Sequence, residues 1–125
     1  MTVRARREGA MAIVVAEGRY DVAELRAAFE AALAPFTVAA ADGLLLDVSG
    51  SQVLGERSAQ DVRLMGHFVA SRADRFSHRF AIVASSDLGF GLMRLGSVVT
   101  ESQGVTTHVF RDHASALAWL GATPT

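Results

Sequence analysis

Gly89-Phe90-Gly91 follows a strand-like run and opens a helix-like one. That is where a dinucleotide-binding fold cradles a pyrophosphate, and Asp112 lies about one strand further on, where such a fold keeps its ribose acid. The third glycine of G-x-G-x-x-G would be residue 94, which is Arg94, and no further strands follow to build the crevice. The motif therefore reads as close helix–sheet packing. His67, His78, His108 and His113 include no H-x-x-x-H pair and no H-E-x-x-H, so no metal site is expected. Ser49, Ser51, Ser85, Ser86 and Ser97 form no G-x-S-x-G elbow and have no His partner nearby in sequence. Turn and cap duty suits them. A hydrolase built from Ser and His would need the fold to join distant residues.

Two absences narrow the chemistry further. The chain has no cysteine, and all twelve basic residues are arginines. Disulfides, thiolate nucleophiles and cysteine-ligated metals are excluded. So are a Walker-A lysine, a Schiff base and a PLP anchor. Asp42 and Asp47 hint at a receiver domain, whose acids need a lysine that this chain lacks. A net charge of −1 gives no basic face for nucleic acid. No catalytic residue, metal or cofactor is expected.

What remains is anion binding by arginine and helix starts. Two loops qualify, Ser51 to Ser58 and Ser85 to Phe90. The candidate ligand- or partner-binding residues are Glu56, Arg57, Ser58, Ser85, Ser86, Asp87, Phe90 and Arg94, with Arg57 and Arg94 supplying positive charge.

The elements that must hold these loops follow from periodicity. Thr2 to Arg7 and Met11 to Ala16 read as a strand hairpin turning at Glu8-Gly9-Ala10. Asp21 and Glu24 form a capping box for a helix that buries Val22, Leu25, Phe29, Ala32 and Leu33 and stops at Pro35. Gly43 to Val48 is a strand buried on both faces. A second helix starts at Ser58, with Val62, Met65 and Val69 as its ridge. Arg79 to Ser85 is another buried strand. Ser86 or Asp87 caps a third helix whose apolar stripe is Leu88, Leu92, Leu95 and Val99, closing at Gly104. Val105 to Arg111 is the last strand. Asp112 caps a last helix carrying Leu117, Trp119 and Leu120, stopped by Gly121 and Pro124. The order ββαβαβαβα predicts one α/β domain over residues 1–125, with a mixed, mostly parallel sheet under helices. The start lacks the apolar stretch and cleavage site of a signal peptide, and no run is long enough to span a bilayer, so a cytoplasmic protein is expected.

This layout resembles the STAS domain of anti-sigma-factor antagonists. The features are the hairpin, the Gly18-Arg19-Tyr20-Asp21 turn and the strand end Leu44-Leu45-Leu46-Asp47-Val48-Ser49-Gly50. The C-terminal half is closer to the small bacterial SpoIIAA-like branch. It carries Phe80-Ala81-Ile82-Val83-Ala84, Asp87-Leu88-Gly89-Phe90-Gly91-Leu92-Met93-Arg94, Val109-Phe110-Arg111-Asp112 and Ala116-Leu117-Ala118-Trp119-Leu120. The resemblance implies a non-enzymatic regulatory module that binds a protein partner or a second copy of itself. In partner-switching members, a serine in a D-S-x-G segment at the start of the second helix is phosphorylated. That segment falls on Gly55-Glu56-Arg57-Ser58, where the aspartate and the aligned serine are absent. A slip of one or two residues puts Ser58 there. The branch also resembles the lipid-binding CRAL-TRIO fold, which implies an apolar pocket for a lipid-like or anionic molecule. Phe68, Phe76, Phe90 and Met93 are candidates to line it.

Overall fold

A computed structural model describes residues 2–121. Five strands, β1 (Val3–Glu8), β2 (Met11–Ala16), β3 (Gly43–Asp47), β4 (Arg79–Val83) and β5 (Thr106–Phe110), lie in one sheet in chain order. The β1–β2 pair is antiparallel and every other pair is parallel. Gly9, at φ +60°, lets a two-residue turn join Glu8 to Met11. Four helices complete the expected order: α1 (Val22–Leu33), α2 (Ala59–Ala70), α3 (Asp87–Ser102) and α4 (His113–Gly121). The capping box of Asp21 and Glu24 forms as the sequence predicts, and α1 ends at Ala34, before Pro35. Pro124 lies outside the described residues.

Helices α1, α2 and α3 cover one face of the sheet, over a core that includes Phe29, Leu44, Leu46, Phe76, Phe80 and Met93. On the other face α4 seats Ala116 and Leu120 against Ile13, Leu45, Ala81 and Val83. β3 is buried from end to end, which explains its uninterrupted Leu44-Leu45-Leu46. Two short 3-10 turns, Leu54–Glu56 and Ala73–Phe76, join strands to helices; three or four residues carry no periodicity by which a sequence could announce them.

The buried face of α3 differs from the expected stripe. Its buried residues are Gly89, Met93, Gly96 and Thr100, while Leu92, Leu95 and Val99 are half-buried and Leu88 is 60% exposed. The cause is a close approach of α2 and α3. A Cβ added at Gly66 would stand 3.0 Å from Val99 Cγ1, and one at Gly96 would stand 3.3 Å from Val62 Cγ1. Small residues hold the contact and the leucines flank it. Thr100, fully buried, exchanges a 2.6 Å hydrogen bond with Thr107 on β5, so its hydroxyl is satisfied.

Candidate functional site

The carboxyl ends of β3 and β4 lie at one end of the sheet, and α2 and α3 start from there. The segments after β2 and β3 are joined by main-chain hydrogen bonds: Gly18 N–H donates to Gly50 O (2.9 Å), and Gln52 N–H donates to Gly18 O (2.8 Å). Gly18 sits at φ +65°, a conformation that costs a glycine little. Tyr20 is buried behind this bridge, and its hydroxyl exchanges a 2.9 Å hydrogen bond with the Ser51 hydroxyl. Burial raises the Tyr20 pKa, against smaller lowering effects from Ser51 and Arg57. The Arg57 guanidinium donates to the Tyr20 carbonyl and lies 5.5 Å from its ring centre. Next to it, the exposed pair of Arg19 and Glu56 closes at 2.8 Å.

Ser58 caps α2. Its exposed hydroxyl accepts from Asp61 N–H at 3.0 Å, and the Asp61 carboxylate accepts from Ser58 N–H. Ser86 caps α3, accepting from Gly89 N–H at 3.0 Å. The two loops adjoin. Leu54 reaches Gly89, Leu88 reaches Gly55, and the Ser85 hydroxyl donates to Ser49 O at 3.5 Å. Asp87 pairs with Arg111 at 3.0 Å, and the same guanidinium lies 4.2 Å from the Phe90 ring centre.

Glu56, Arg57, Ser58, Ser85, Ser86 and Asp87 therefore belong to one end of the molecule. Arg94 does not join Arg57. Arg57 lines a hollow of about 70 Å³ between α1, α2, α3 and the sheet, whereas Arg94 and Phe90 line a groove beside β5. The two arginines therefore add their charge to different cavities. Of the four residues proposed for an apolar pocket, only Met93 lines the hollow. Phe76 is buried against Phe80, and Phe68 packs on Phe29 under Arg26 and Arg72.

One polar cluster escaped the sequence reading. Asp47, at the end of β3, is only 9% exposed. Its Oδ1 accepts from both the N–H and the hydroxyl of Ser49, and its Oδ2 lies 2.8 Å from His113 Nδ1. Arg6 faces His113 Nε2 at 3.4 Å. An arginine can only donate, so Nε2 accepts and Nδ1–H donates to Asp47. Burial pushes the Asp47 pKa up, but Ser49 and then His113 outweigh it and hold the carboxyl below its ordinary value. Among the described residues no serine hydroxyl hydrogen-bonds a histidine ring, so no nucleophile–base pair forms, and no group of three His, Asp or Glu could hold a metal. No helix of the described residues is long and apolar enough to cross a membrane.

No protein-family model, curated protein or solved structure matches the chain.

Proposed function

We propose that the chain is a STAS-like, non-enzymatic interaction module that docks a protein partner with the end of the sheet around Arg57, Ser58 and Asp87. The observation that carries this reading is the state of the polar groups there. Tyr20, Ser51, Glu56, Arg57, Ser58, Ser86 and Asp87 are all engaged within the chain, yet Glu56, Ser58, Ser86 and Asp87 face solvent. Such a surface is rigid and polar, suited to recognition. The order ββαβαβαβα, on which the resemblance rests, supports the reading. So does the position of Ser58 at the start of α2. A negative charge there interacts well with the helix end while changing the face it presents.

Affinity capture from a lysate of the source organism tests this, with wild-type chain and Ser58→Asp as paired baits. Aspartate caps a helix about as well as serine, so the fold is kept while the charge changes. A protein retained by wild type and lost by the variant supports the reading. Identical retention by both baits overturns it.

A second reading is the binding of a small amphiphile with an anionic head. It is favoured by the hollow under α1, whose walls include Leu25, Phe29, Leu46, Met65 and Met93, with Arg57 at its rim. At about 70 Å³ it is smaller than the roughly 150 Å³ cavity that takes up benzene, so a larger guest requires α1 and α2 to part. A rise in Tm with octanoate that Arg57→Gln removes would support it. No shift with octanoate, and no extra mass on the freshly purified protein in native mass spectrometry, would sink it.

A further inference from the structure

The two edges of the sheet are built differently. β1 carries Arg4, Arg6, Arg7 and Glu8, the kind of charge that blocks edge-to-edge pairing. β5, at the other edge, reads Thr106-Thr107-His108-Val109-Phe110, with no arginine, acid or proline. Its outward groups follow from its bonds to the rest of the sheet. Thr106 N–H donates to His78 O, and Phe110 O accepts from Ala84 N–H. Thr106, His108 and Phe110 therefore face β4 with their main-chain groups, and Thr107 and Val109 turn theirs outward. Among the described residues no strand pairs with that edge. The Thr107 N–H is held instead by the Glu101 carboxylate, at 3.3 Å.

Beside the edge runs a groove of about 400 Å³, between β5 and a stripe of α3 formed by Phe90, Arg94, Ser97, Val98 and Glu101. Along this stripe Arg94 and Glu101 stand about two turns apart. Val98, 66% exposed, lies between them. Arg94 makes no side-chain hydrogen bond or ion pair among the described residues.

We propose that β5 pairs antiparallel with β5 of a second copy of this chain, joining two sheets into one of ten strands. A two-fold axis through His108, perpendicular to the sheet, sets Thr107 opposite Val109 of the second copy. The outward groups of these residues then form four main-chain hydrogen bonds. The same axis keeps both α3 helices on one face and runs them antiparallel. Arg94 then lies towards Glu101 of the second copy, and the two Val98 side chains meet near the axis. Such self-complementarity, with charge opposite charge and apolar opposite apolar, is what an isologous contact requires. Thr107 N–H exchanges the Glu101 carboxylate for a main-chain carbonyl, and Glu101 is released to the arginine across the axis.

The contact is made by β5 and by Arg94, Val98 and Glu101 of α3, none of which belongs to the proposed partner face, so substitutions there test it separately. Sedimentation equilibrium over a concentration series tests it, with wild type, Arg94→Glu, Glu101→Arg and the double swap. Each single change sets like charges against each other twice, and we expect the dimer Kd to rise about tenfold. The double swap restores the wild-type value. Amide exchange gives a second measurement, in which Val109 N–H gains protection as concentration rises. A chain that stays monomeric to about 1 mM overturns the proposal, since pairing weaker than that is not specific association. A dimer indifferent to Arg94→Glu is joined elsewhere and also overturns it, as does Val109 protection that appears only when another protein is added.

Discussion

Asp47 is the residue on which most of the polar design converges. It gathers Ser49 and, from 66 positions away, His113, which in turn meets Arg6. This ties the start of α4 to the end of β3 and to β1. Asp47→Asn keeps one oxygen for Ser49 but sets an amide donor against the His113 Nδ1–H, and we expect it to lower stability at pH 7 by about 1–3 kcal/mol in urea unfolding. The pH dependence has a definite sign. The folded-state pKa is depressed, so the group stabilises above the unfolded value of about 3.9 and the stabilisation is lost as pH falls towards the lower folded value. The gap between wild type and Asp47→Asn should therefore narrow below about pH 4; a constant gap from pH 7 to pH 3 would contradict the assignment. Asp47 and His113 were each visible in the sequence, but a contact across 66 residues has no spacing signal. Ser58 and Ser86 were legible as caps because a cap is a local device. Arg57 was found, but its commitment to Tyr20 was not, since that contact depends on how two loops cross.

At the scale of elements, the close contact of α2 and α3 decides where the third helix turns its face. Gly66→Ala gains helix propensity but presses on Val99, 3.0 Å away. We expect a net loss of about 1–2 kcal/mol from the overpacking. Gly91→Ala is the control. It lies on the exposed side of α3 with nothing within 4 Å of an added Cβ, and should raise stability by about 0.5–1 kcal/mol. Paired thermal melts check both, and equal shifts in the same direction would contradict this account of the contact. The helices themselves were readable from their caps and their spacing. The buried stripe of α3 was not, because a tally of leucines gives weight to Leu88 and none to Gly96, which occupies the contact. Phe76 and Phe68, candidates for the pocket that the resemblance implies, pack their rings in the core, as such residues at helical spacing commonly do.

For the whole molecule, the ββαβαβαβα order was legible because each apolar run is followed by a capped helix, at Asp21, Ser58, Ser86 and Asp112. The strand order is sequential, the simplest outcome of that alternation. Adjacency of the two loops at the carboxyl ends of β3 and β4 follows from this order, since neighbouring parallel strands bring their following loops together. The separation of Arg57 from Arg94 was beyond the sequence, because it depends on the rotation of α3 about its own axis. The proposed docking face around Ser58 rests on polar groups that are engaged within the chain yet face solvent. The most direct test is a titration of the captured partner against wild type and Ser58→Asp by calorimetry. We expect the variant to keep its wild-type melting temperature and to bind at least about tenfold more weakly, a difference of about 1.4 kcal/mol. Equal affinity for the two chains would contradict the placement of the docking face.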